Sequence, residues 1–451
     1  MVTDYKKSFY LVSSNSLKFD NDYSERLIFS TRTSSLLLMR EDHFQEFNEE
    51  RFGEIPEQVL DELIKIQAVV PKEQDELDYV VSANNAAIEG NETLDIVIQP
   101  GASCQLGCHY CGQQHTSKYM DKNLQEKVVN RIRLKIEASG CKQLNVTWYG
   151  AEPLMAVNHV YEMSEALLLV CKEYNISYTA SMVTNGLSLK HNIFLNLIQK
   201  YQIKTFQITL DGVAAYHDLN RYTKKEKGPT FSIIFNNILT IVNAPGFKEL
   251  DANIVIRCNV DTNNVDGLNE FIDLLAAHKL QDKISFYLVP IHNWGDNGIE
   301  NSKGVVKDDF SVAEIDWMMK LLQLGFDIEI LPERTKIVCS AVKKHSEVYD
   351  AYGTVSTCWE VPYTPLYNQT KFEIGHLDVP FEEDVSKTPM RNWNNDVKNS
   401  DESTCMKCNL LPVCGGSCPI HWLSGTPACP SFKFNMQDRL VLQYLRSKKV
   451  I

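Results

Sequence analysis

Residues 104–115, which read CQLGCHYCGQQH, place three cysteines at spacings of three and two residues. These are Cys104, Cys108 and Cys111, and an aromatic residue, Tyr110, directly precedes the last of them. A closed structural metal site normally takes four protein ligands, so a loop with three either borrows a fourth or leaves one metal position open for chemistry. Because two histidines lie in the same stretch, the loop alone leaves a zinc site and an iron-sulfur cluster both open.

The loop belongs to a region, from about residue 94 to 291, in which short β-branched runs alternate with longer amphipathic stretches such as residues 122–139 and 265–278. A strand followed by a helix, repeated six times, predicts an α/β fold with a parallel sheet that is open or curled into a partial (β/α)6 barrel. Chemistry in such folds lies at the carboxyl ends of the strands, which is where the cysteine loop and the GAEP, TNG and LDG sequences fall. The six strand candidates are LDIVIQP (94–100), LNVTWYG (144–150), SYTASMVTNG (177–186), TFQITLDG (205–212), ANIVIRCNVD (252–261) and KISFYLVPI (283–291).

The amino-terminal 88 residues have a different pattern. Two alternating runs, two short helices at residues 41–50 and 55–66 and an AVVP strand predict a small winged-helix-like module. Its helices are acidic and would repel a phosphate backbone, which disfavours DNA binding. An exposed strand edge in such a module can instead accept an extended peptide through main-chain hydrogen bonds.

The composition excludes several classes of protein. The 45 Lys and Arg residues are outnumbered by 58 Asp and Glu residues, so the net charge is -13 and nucleic acid is not expected as a partner. The first residues lack the apolar segment of a signal peptide, and no run reaches the roughly 18 apolar residues of a membrane-spanning helix. We therefore expect a cytoplasmic protein with no membrane partner.

Ten of the thirteen cysteines fall into spaced groups, which in a reducing compartment favours metal or cluster ligation over disulfides. The second group of cysteines, from Cys339 onward, lies in a region expected to be rich in loops. A zinc ribbon is the alternative interpretation of this group. Cys141, Cys171 and Cys258 lie outside both groups and are expected to be small core residues. The second group consists of Cys339, Cys358, Cys405, Cys408, Cys414, Cys418 and Cys429.

The first loop, in its place after the first strand of the βα repeat, resembles the radical S-adenosylmethionine (radical SAM) superfamily. WYGAEP (148–153) is similar to that superfamily's GGEP motif, with alanine at the second glycine, and SMVTNG (181–186) and TLDG (209–212) match its next two strand ends. The resemblance implies a 4Fe-4S cluster on the three cysteines, with S-adenosylmethionine on its open iron. It further implies contacts to the methionyl amino group, the carboxylate, the ribose and the adenine. The cofactor-binding residues carried over are Tyr110, Gly150, Ala151, Glu152, Asn185, Thr209, Asp211, Arg221 and Arg257.

The second group resembles the complete cysteine pattern of a SPASM domain. The resemblance implies two auxiliary 4Fe-4S clusters, and hence three clusters in all. The second of these lacks a fourth cysteine, and the imidazole of His345, a substrate thiolate or nothing completes it. Carried over to this chain, Cys405, Cys408, Cys414 and Cys429 close one cluster, while Cys339, Cys358 and Cys418 hold the other.

Together the resemblances imply a peptide maturase with four parts, at residues 1–88 (peptide docking), 89–305 (radical SAM core), 306–335 (bridging segment) and 336–451 (SPASM). The enzyme would cleave S-adenosylmethionine reductively and oxidise a ribosomally made precursor peptide, forming a thioether or carbon-carbon crosslink. Its partners would be that peptide with its leader and an electron donor such as flavodoxin or ferredoxin.

The first alternative is an anaerobic sulfatase-maturating enzyme, which makes formylglycine. It is disfavoured because those relatives carry Asp directly after the second auxiliary cysteine, where this chain has Trp359 and then Glu360. We expect these two residues to be packing or surface residues. A non-catalytic iron-sulfur electron carrier is a more distant alternative, since it would not need the GAEP, TNG and LDG strand ends.

Overall fold

The computed structural model describes residues 4–19, 22–291, 307–368, 370–380, 390–400, 404–423, 425 and 428–451. Short 3-10 turns join several of its elements. The strands are β1 (Tyr5–Lys7), β2 (Leu11–Ser13), β3 (Glu25–Ser30), β4 (Ser35–Arg40), β5 (Val69–Pro71), β6 (Thr93–Ile98), β7 (Gln143–Trp148), β8 (Ser177–Thr184), β9 (Ile203–Thr209), β10 (Asn253–Val260), β11 (Ser285–Pro290), β12 (Glu347–Tyr349), β13 (Thr354–Ser356) and β14 (Glu373–His376). The helices are α1 (Glu41–Asn48), α2 (Glu57–Lys65), α3 (Glu76–Glu89), α4 (Lys122–Ser139), α5 (Val157–Glu173), α6 (His191–Gln199), α7 (Ala214–Asn220), α8 (Phe231–Val242), α9 (Leu268–Ala277), α10 (Lys307–Gln323), α11 (Trp393–Asn399), α12 (Leu411–Cys414), α13 (Pro419–Leu423) and α14 (Phe432–Ser447).

A nine-stranded sheet forms the centre of the molecule, in the order β11-β10-β9-β8-β7-β6-β12-β13-β14. Its first six members are the six strand candidates, and each pairs in parallel with its sequence neighbour. This confirms the predicted α/β class with a mostly parallel sheet. The carboxyl-terminal region extends the same sheet, because β12 pairs in parallel with β6 and β13 and β14 follow in antiparallel pairs.

The two faces of the parallel strands differ in chemistry. In β7, Leu144, Val146 and Trp148 are buried in the core, whereas Asn145 and Thr147 alternate with them and are only half-buried. A parallel sheet covered on both faces normally has near-continuous apolar strands. The alternation here indicates that the other face borders a polar interior space rather than a second core layer.

Hydrogen bonds between neighbouring strands line this polar face. The Asn145 amide donates to the Asp95 carboxylate at 2.8 Å and accepts from the Thr179 hydroxyl at 3.1 Å. Further along, the Tyr287 hydroxyl donates to Gln207 at 2.8 Å. These side chains satisfy one another across neighbouring strands, so this part of the sheet stays polar.

Local sequence signals set the helix boundaries around the site. Helix α4 begins where the Asp121 side chain accepts a hydrogen bond from the Leu124 backbone amide, and it ends at Gly140 in the left-handed conformation. The predicted helix at 122–139 therefore matches the observed one, and the helix predicted at 265–278 appears as a 3-10 turn followed by α9.

The amino-terminal region contains the antiparallel sheet β2-β3-β4, helices α1 and α2, and a separate pair of β1 with β5. Phe44, Phe47 and Leu63 fill its own small core. Helices α1 and α2 lie within the predicted ranges 41–50 and 55–66.

The β2 side of this small sheet contacts the carboxyl-terminal region. The Asn409 side chain donates to the Leu11 carbonyl at 2.8 Å, and the Thr31 hydroxyl donates to the Asn409 carbonyl at 2.6 Å. Gln437 also donates to the Ser13 carbonyl at 2.9 Å. The amino-terminal and carboxyl-terminal regions are therefore joined by hydrogen bonds from side chains to backbone carbonyls, as well as by apolar packing.

One segment, Pro153–Glu173, is long and apolar enough to cross a membrane by length and composition. It contains α5, whose Val160, Met163 and Leu167 belong to the main hydrophobic core. A core helix passes the same test, and the burial of this face identifies the segment as one.

Candidate active site

The three cysteines of the first loop lie on the wall of one cavity of about 190 Å³. The loop follows β6, and GAEP, TNG and LDG follow β7, β8 and β9, so the predicted strand ends converge at one edge of the sheet. Of the predicted site residues, those on the cavity wall are Cys104, Cys108, Tyr110, Cys111, Ala151, Asn185, Thr209, Arg221 and Arg257.

The three thiols are poor anions without a partner of opposite charge. Burial is the largest cause that raises the pKa of Cys104 to about 11 and that of Cys108 to about 12, and it also raises the pKa of Cys111. The positive charge of Arg221 opposes the rise at each of the three. Iron ions would offset the same desolvation, so the donor set fits a cationic cluster held by thiolates.

Within the described ranges, no group of three or more His, Cys, Asp or Glu side chains is placed to hold a single metal ion. The choice between an iron-sulfur cluster and zinc at the first loop stays a prediction from the sequence.

Two of the wall residues, Tyr110 and Arg221, belong to a hydrogen-bond network that continues behind the wall. The Tyr110 hydroxyl donates to the Asp211 carboxylate at 2.7 Å and accepts from the Arg221 guanidinium at 2.6 Å and from the Asn259 amide at 3.0 Å. Asp211 is fully buried and is not one of the wall residues. Its carboxylate is joined to the cavity wall by hydrogen bonds from the Tyr110 hydroxyl and the Asn259 backbone amide, and its contact with the ribose stays a prediction.

Glu152 joins two of the strand ends. Its carboxylate accepts hydrogen bonds from the Thr184 hydroxyl at 2.6 Å and from the backbone amides of Asn185 and Leu154 at 2.7 and 2.9 Å. Burial raises the pKa of Glu152, and these hydrogen bonds oppose that rise. The side chain therefore fixes the TNG turn, while the Asn185 amide lies 3.8 Å from the Cys104 sulfur.

Gly150 allows close contact between the GAEP loop and β6. Its φ is +82°, and a Cβ atom there would lie 2.0 Å from Oε1 of the buried Gln99. We expect Gly150→Ala to destabilise the protein by about 1–3 kcal/mol more than Gly325→Ala. Gly325 has a similar φ of +84° but no neighbouring atom within 4 Å, so backbone strain is matched. Chemical unfolding of both variants measures the difference, and equal losses would mean that the Gln99 contact is unimportant.

The auxiliary cysteines line two further cavities. Cys339, Cys358 and Cys418 lie around a space of about 630 Å³, which Cys414 also borders. His345, suggested by sequence as a possible fourth ligand, does not line it.

The remaining four cysteines surround a much smaller space of about 20 Å³. Burial raises the pKa of Cys414 to about 12, and this residue borders both spaces. The four cysteines of the smaller space are Cys405, Cys408, Cys414 and Cys429. Because Cys414 also borders the larger space, the assignment of the seven cysteines to two ligand sets stays a prediction.

Glu360 is the site residue that sequence analysis missed. It lines both the first cysteine cavity and the cavity of Cys339, Cys358 and Cys418. The Tyr149 hydroxyl donates to its carboxylate at 3.1 Å. Trp359 stacks at a tilt on Tyr149, with ring centroids 5.1 Å apart, and is 38% exposed. The signal available in the sequence was the position of Glu360 two residues after Cys358.

Comparison with known proteins agrees with this geometry. Residues 98–248 match the sequence model of the Radical SAM superfamily. The serine-type anaerobic sulfatase-maturating enzyme of Klebsiella aerogenes is 27% identical over 133 residues, which are 29% of this chain and 32% of the relative. The enzyme of the same description from Bacteroides thetaiotaomicron is 22% identical over 382 residues, which are 74% of this chain and 84% of the relative.

The match spans about a third of the length of three of the curated relatives, the Klebsiella aerogenes enzyme among them. Among solved structures, anSMEcpe with bound AdoMet and Cp18Cys peptide is 17% identical with a TM-score of 0.54, covering 79% of this chain and 98% of that one. This likeness extends the shared fold beyond residues 98–248. The chain therefore contains a radical SAM domain, and it is an enzyme homologous to the anaerobic sulfatase-maturating enzymes.

Proposed function

We propose that the protein oxidises a ribosomally synthesised precursor peptide, using S-adenosylmethionine and three 4Fe-4S clusters, and that the product is a thioether or carbon-carbon crosslink. One observation carries the proposal. Glu360 forms part of the wall of both the first cysteine cavity and the auxiliary cavity, so the two spaces adjoin. A substrate bound there would lie between a radical-generating centre and an electron acceptor.

Cys104, Cys108 and Cys111 would hold the first cluster. When bound, that cluster and S-adenosylmethionine supply a 5'-deoxyadenosyl radical that removes a hydrogen atom from an unactivated carbon. Arg221 offers a buried positive charge for the cofactor's carboxylate, and Asn185 and Thr209 add polar wall atoms. The remaining work of the chain is to exclude water and to fix the substrate carbon in reach.

The auxiliary cavities explain how the substrate would lose a second electron. Cys339, Cys358 and Cys418 would hold the nearer cluster, and the four-cysteine set would hold the farther one. Clusters that differ in burial and ligand set differ in reduction potential, which favours directed electron transfer. The proposed electron donor for the first cluster is a flavodoxin or ferredoxin, and the proposed location is the cytoplasm.

The amino-terminal sheet supports a peptide-docking role. In the described part of the chain, β4 pairs with β3 alone, so its outer edge has no strand partner. The β2 edge, in contrast, contacts Asn409 and Gln437. A leader peptide could therefore add to β4 as a fourth strand, with main-chain hydrogen bonds giving affinity. The solved anSMEcpe structure with a bound peptide supports a peptide substrate for this fold.

The second candidate is formylglycine formation on a serine or cysteine of a protein. The homology to the sulfatase-maturating enzymes favours it, and so does a carboxylate, Glu360, beside the auxiliary cavity. In those enzymes the carboxylate directly follows the second auxiliary cysteine, whereas Glu360 is two residues after Cys358. The product would carry an aldehyde, which reacts with a hydrazide probe, whereas a crosslinked peptide would not react.

The proposal is tested by the origin of the hydrogen atom. Reconstituted enzyme, reductant and S-adenosylmethionine are incubated anaerobically with a candidate precursor, a short peptide encoded near this gene, made once in ordinary form and once fully deuterated at carbon. We expect 5'-deoxyadenosine to be one mass unit heavier with the deuterated peptide. Unlabelled 5'-deoxyadenosine in both reactions would mean that the peptide is not the hydrogen donor.

A further inference from the structure

The segment of residues 222–228, which follows α7, packs along the first cysteine loop. The Gly107 backbone amide donates to the Tyr222 carbonyl at 2.9 Å, and the Lys224 backbone amide donates to the Gln105 carbonyl at 2.9 Å. The packing between the two is close, because a Cβ atom on Gly107 would lie 3.1 Å from the Tyr222 ring and 3.3 Å from Cγ of Lys224. The segment is therefore fixed against the backbone that carries the three cysteines.

The same segment closes on itself as a turn. The Thr223 backbone amide donates to the Gly228 carbonyl at 3.1 Å, and the Gly228 amide donates to the Thr223 hydroxyl at 2.9 Å. The Lys227 amide also donates to the Thr223 carbonyl at 2.9 Å. These bonds hold residues 224–227 at the tip of the turn, where all four are exposed. We call these four residues the basic tip, since they read Lys-Lys-Glu-Lys.

The basic tip differs in charge from the chain as a whole. Its three lysines and one glutamate give it a net charge of +2, whereas the chain has a net charge of -13. In the part of the chain that the structure describes, the side chains of Lys225 and Lys227 have no ion pair and no hydrogen bond, either with Glu226 or with any other residue. Their charges are therefore available to a partner of opposite charge.

The remaining lysine of the basic tip leads from the surface to a cysteine. The Lys224 ammonium lies 2.6 Å from Nδ1 of His115, and Nε2 of His115 lies 4.0 Å from the Cys111 sulfur. Burial raises the pKa of Cys111, and the positive charge of Lys224 is one of the effects that oppose this rise, which agrees with a short distance between the two side chains. A chain of contacts thus joins the basic tip to a proposed cluster ligand.

The position of the basic tip distinguishes it from ordinary exposed lysines. Electron transfer between proteins slows steeply with the distance between the two centres, so an electron donor must dock close to the cluster that it reduces. A charged surface also speeds the encounter with a partner of opposite charge. The donors proposed above, flavodoxins and ferredoxins, are acidic proteins. The basic tip meets both requirements for such a donor, because it is exposed and contacts the first cysteine loop directly.

We propose that the basic tip is the docking surface for an acidic electron-transfer protein, whose electron reaches the first cluster by way of His115 and Cys111. The inference rests on the proposed function, which requires a reduced first cluster, and it adds the place at which the reductant binds. The transfer forms and breaks no bond. The reduced flavin of a flavodoxin loses one electron, and the cluster on Cys104, Cys108 and Cys111 gains it.

The test measures binding of a purified, fluorescently labelled acidic flavodoxin to the reconstituted holoenzyme with S-adenosylmethionine. Lys225→Gln/Lys227→Gln removes two exposed charges and leaves Lys224 and His115 in place. We expect this variant to bind flavodoxin about five- to tenfold more weakly at low salt, with the difference shrinking as salt screens the charges. Lys225→Arg/Lys227→Arg should bind as the unmutated enzyme does, and Lys225→Glu/Lys227→Glu should bind more weakly still. Fluorescence anisotropy gives the affinities.

A matched control removes two exposed lysines from the opposite edge of the sheet. Lys172, in the last turn of α5, and Lys279, between α9 and β11, both precede the start of a strand, whereas the first cysteine loop follows the end of one. Lys172→Gln/Lys279→Gln changes the net charge by the same amount and should keep its flavodoxin affinity within about twofold. An equal loss in this control, or an unchanged affinity in Lys225→Gln/Lys227→Gln, would overturn the inference.

Chemical reduction separates docking from catalysis. With dithionite, which needs no docking surface, all variants should form 5'-deoxyadenosine at the rate of the unmutated enzyme. With reduced flavodoxin at limiting concentration, Lys225→Gln/Lys227→Gln should oxidise the flavin about five- to tenfold more slowly in a stopped-flow experiment. An equal loss with dithionite would show that the substitutions damage the first cysteine loop, which contradicts a docking role. Weaker binding of the precursor peptide, with flavodoxin binding intact, would assign the basic tip to the substrate and also contradict it.

Two outcomes separate this inference from the proposed function. If dithionite supports modification of the precursor peptide and the lysine substitutions leave flavodoxin binding unchanged, the inference fails alone. If the substitutions weaken flavodoxin binding as expected but the peptide stays unmodified in the dithionite reaction, the docking surface stands and the proposed function fails.

Discussion

Replacement of Cys104 with alanine is expected to abolish formation of 5'-deoxyadenosine, with a loss of at least about a thousandfold. Cys104 lines the first cavity with Cys108 and Cys111, and its sulfur accepts a hydrogen bond from the Leu106 backbone amide at 3.4 Å. Three thiolates are the minimum set proposed for a cluster with one open iron, so two remaining thiolates would not retain it. Liquid chromatography of the anaerobic reaction measures the product.

Two control variants make this result specific. Cys141→Ala removes a buried cysteine that belongs to the main core and lines none of the cysteine cavities, so cleavage should stay within about twofold of the original. Cys429→Ala should reduce iron content and peptide modification while S-adenosylmethionine cleavage remains measurable. If Cys104→Ala still produced 5'-deoxyadenosine, the assignment of the first loop would be wrong.

Replacement of Glu347 with glutamine is expected to destabilise the protein by about 3–5 kcal/mol. Glu347 lies on β12, the strand by which the carboxyl-terminal region joins the sheet, and is almost fully buried. Its carboxylate accepts two hydrogen bonds from Arg131, at 2.7 and 2.9 Å, and lies 3.1 Å from the Lys135 ammonium. Glutamine would remove the negative charge that Arg131 and Lys135, two cations on α4, share at Glu347.

An exposed ion pair on the same helix gives the control. Arg133 pairs with Glu173 at 2.7 Å, but the two side chains are 37% and 51% exposed, so Glu173→Gln should cost less than about 1 kcal/mol. Denaturant titration of the reconstituted enzyme, followed by tryptophan fluorescence, measures both changes. Similar losses for the two variants would show that burial of the Glu347 pair does not matter.

The same carboxylate predicts how stability depends on pH. Burial acts to raise the pKa of Glu347, but its hydrogen bonds with Arg131 and the charge of Lys135 outweigh burial and lower that pKa below 4.5. A carboxylate with a lowered folded-state pKa stabilises the fold above its unfolded pKa, and the contribution is lost as pH falls through the folded value. The free energy of unfolding should therefore decrease as the pH falls below about 4. In the Glu347→Gln variant the same free energy should decrease less steeply over that pH range.

The parallel sheet could be predicted from sequence because each of its strands has a local signal. LNVTWYG (144–150) alternates apolar and polar residues and ends in a glycine, and the observed β7, Gln143–Trp148, begins one residue before that stretch and ends within it. Strand β12 was not predicted, because it is three residues long and its Glu347 is stabilised by Arg131 and Lys135, more than two hundred residues earlier. Long-range pairing of this kind leaves no local pattern.

The cysteine groups could be proposed as ligands because their spacing is visible in the sequence, whereas the residues that support the site have no such pattern. The TNG sequence indicated a strand end, but not that Thr184 would bond to Glu152. Glu360 resembled an ordinary polar residue until the fold brought it against Tyr149 and two cavities. The boundaries of the four proposed domains and the roles of single cofactor-binding residues remain predictions.

The most direct test of the proposed function is the accurate mass of the neighbouring precursor peptide after anaerobic reaction with reconstituted enzyme, reductant and S-adenosylmethionine. We predict a loss of two hydrogen masses, with two residues that stay joined when the peptide is fragmented and with no reaction toward a hydrazide. An unchanged mass, in a reaction that still forms 5'-deoxyadenosine, would contradict peptide crosslinking.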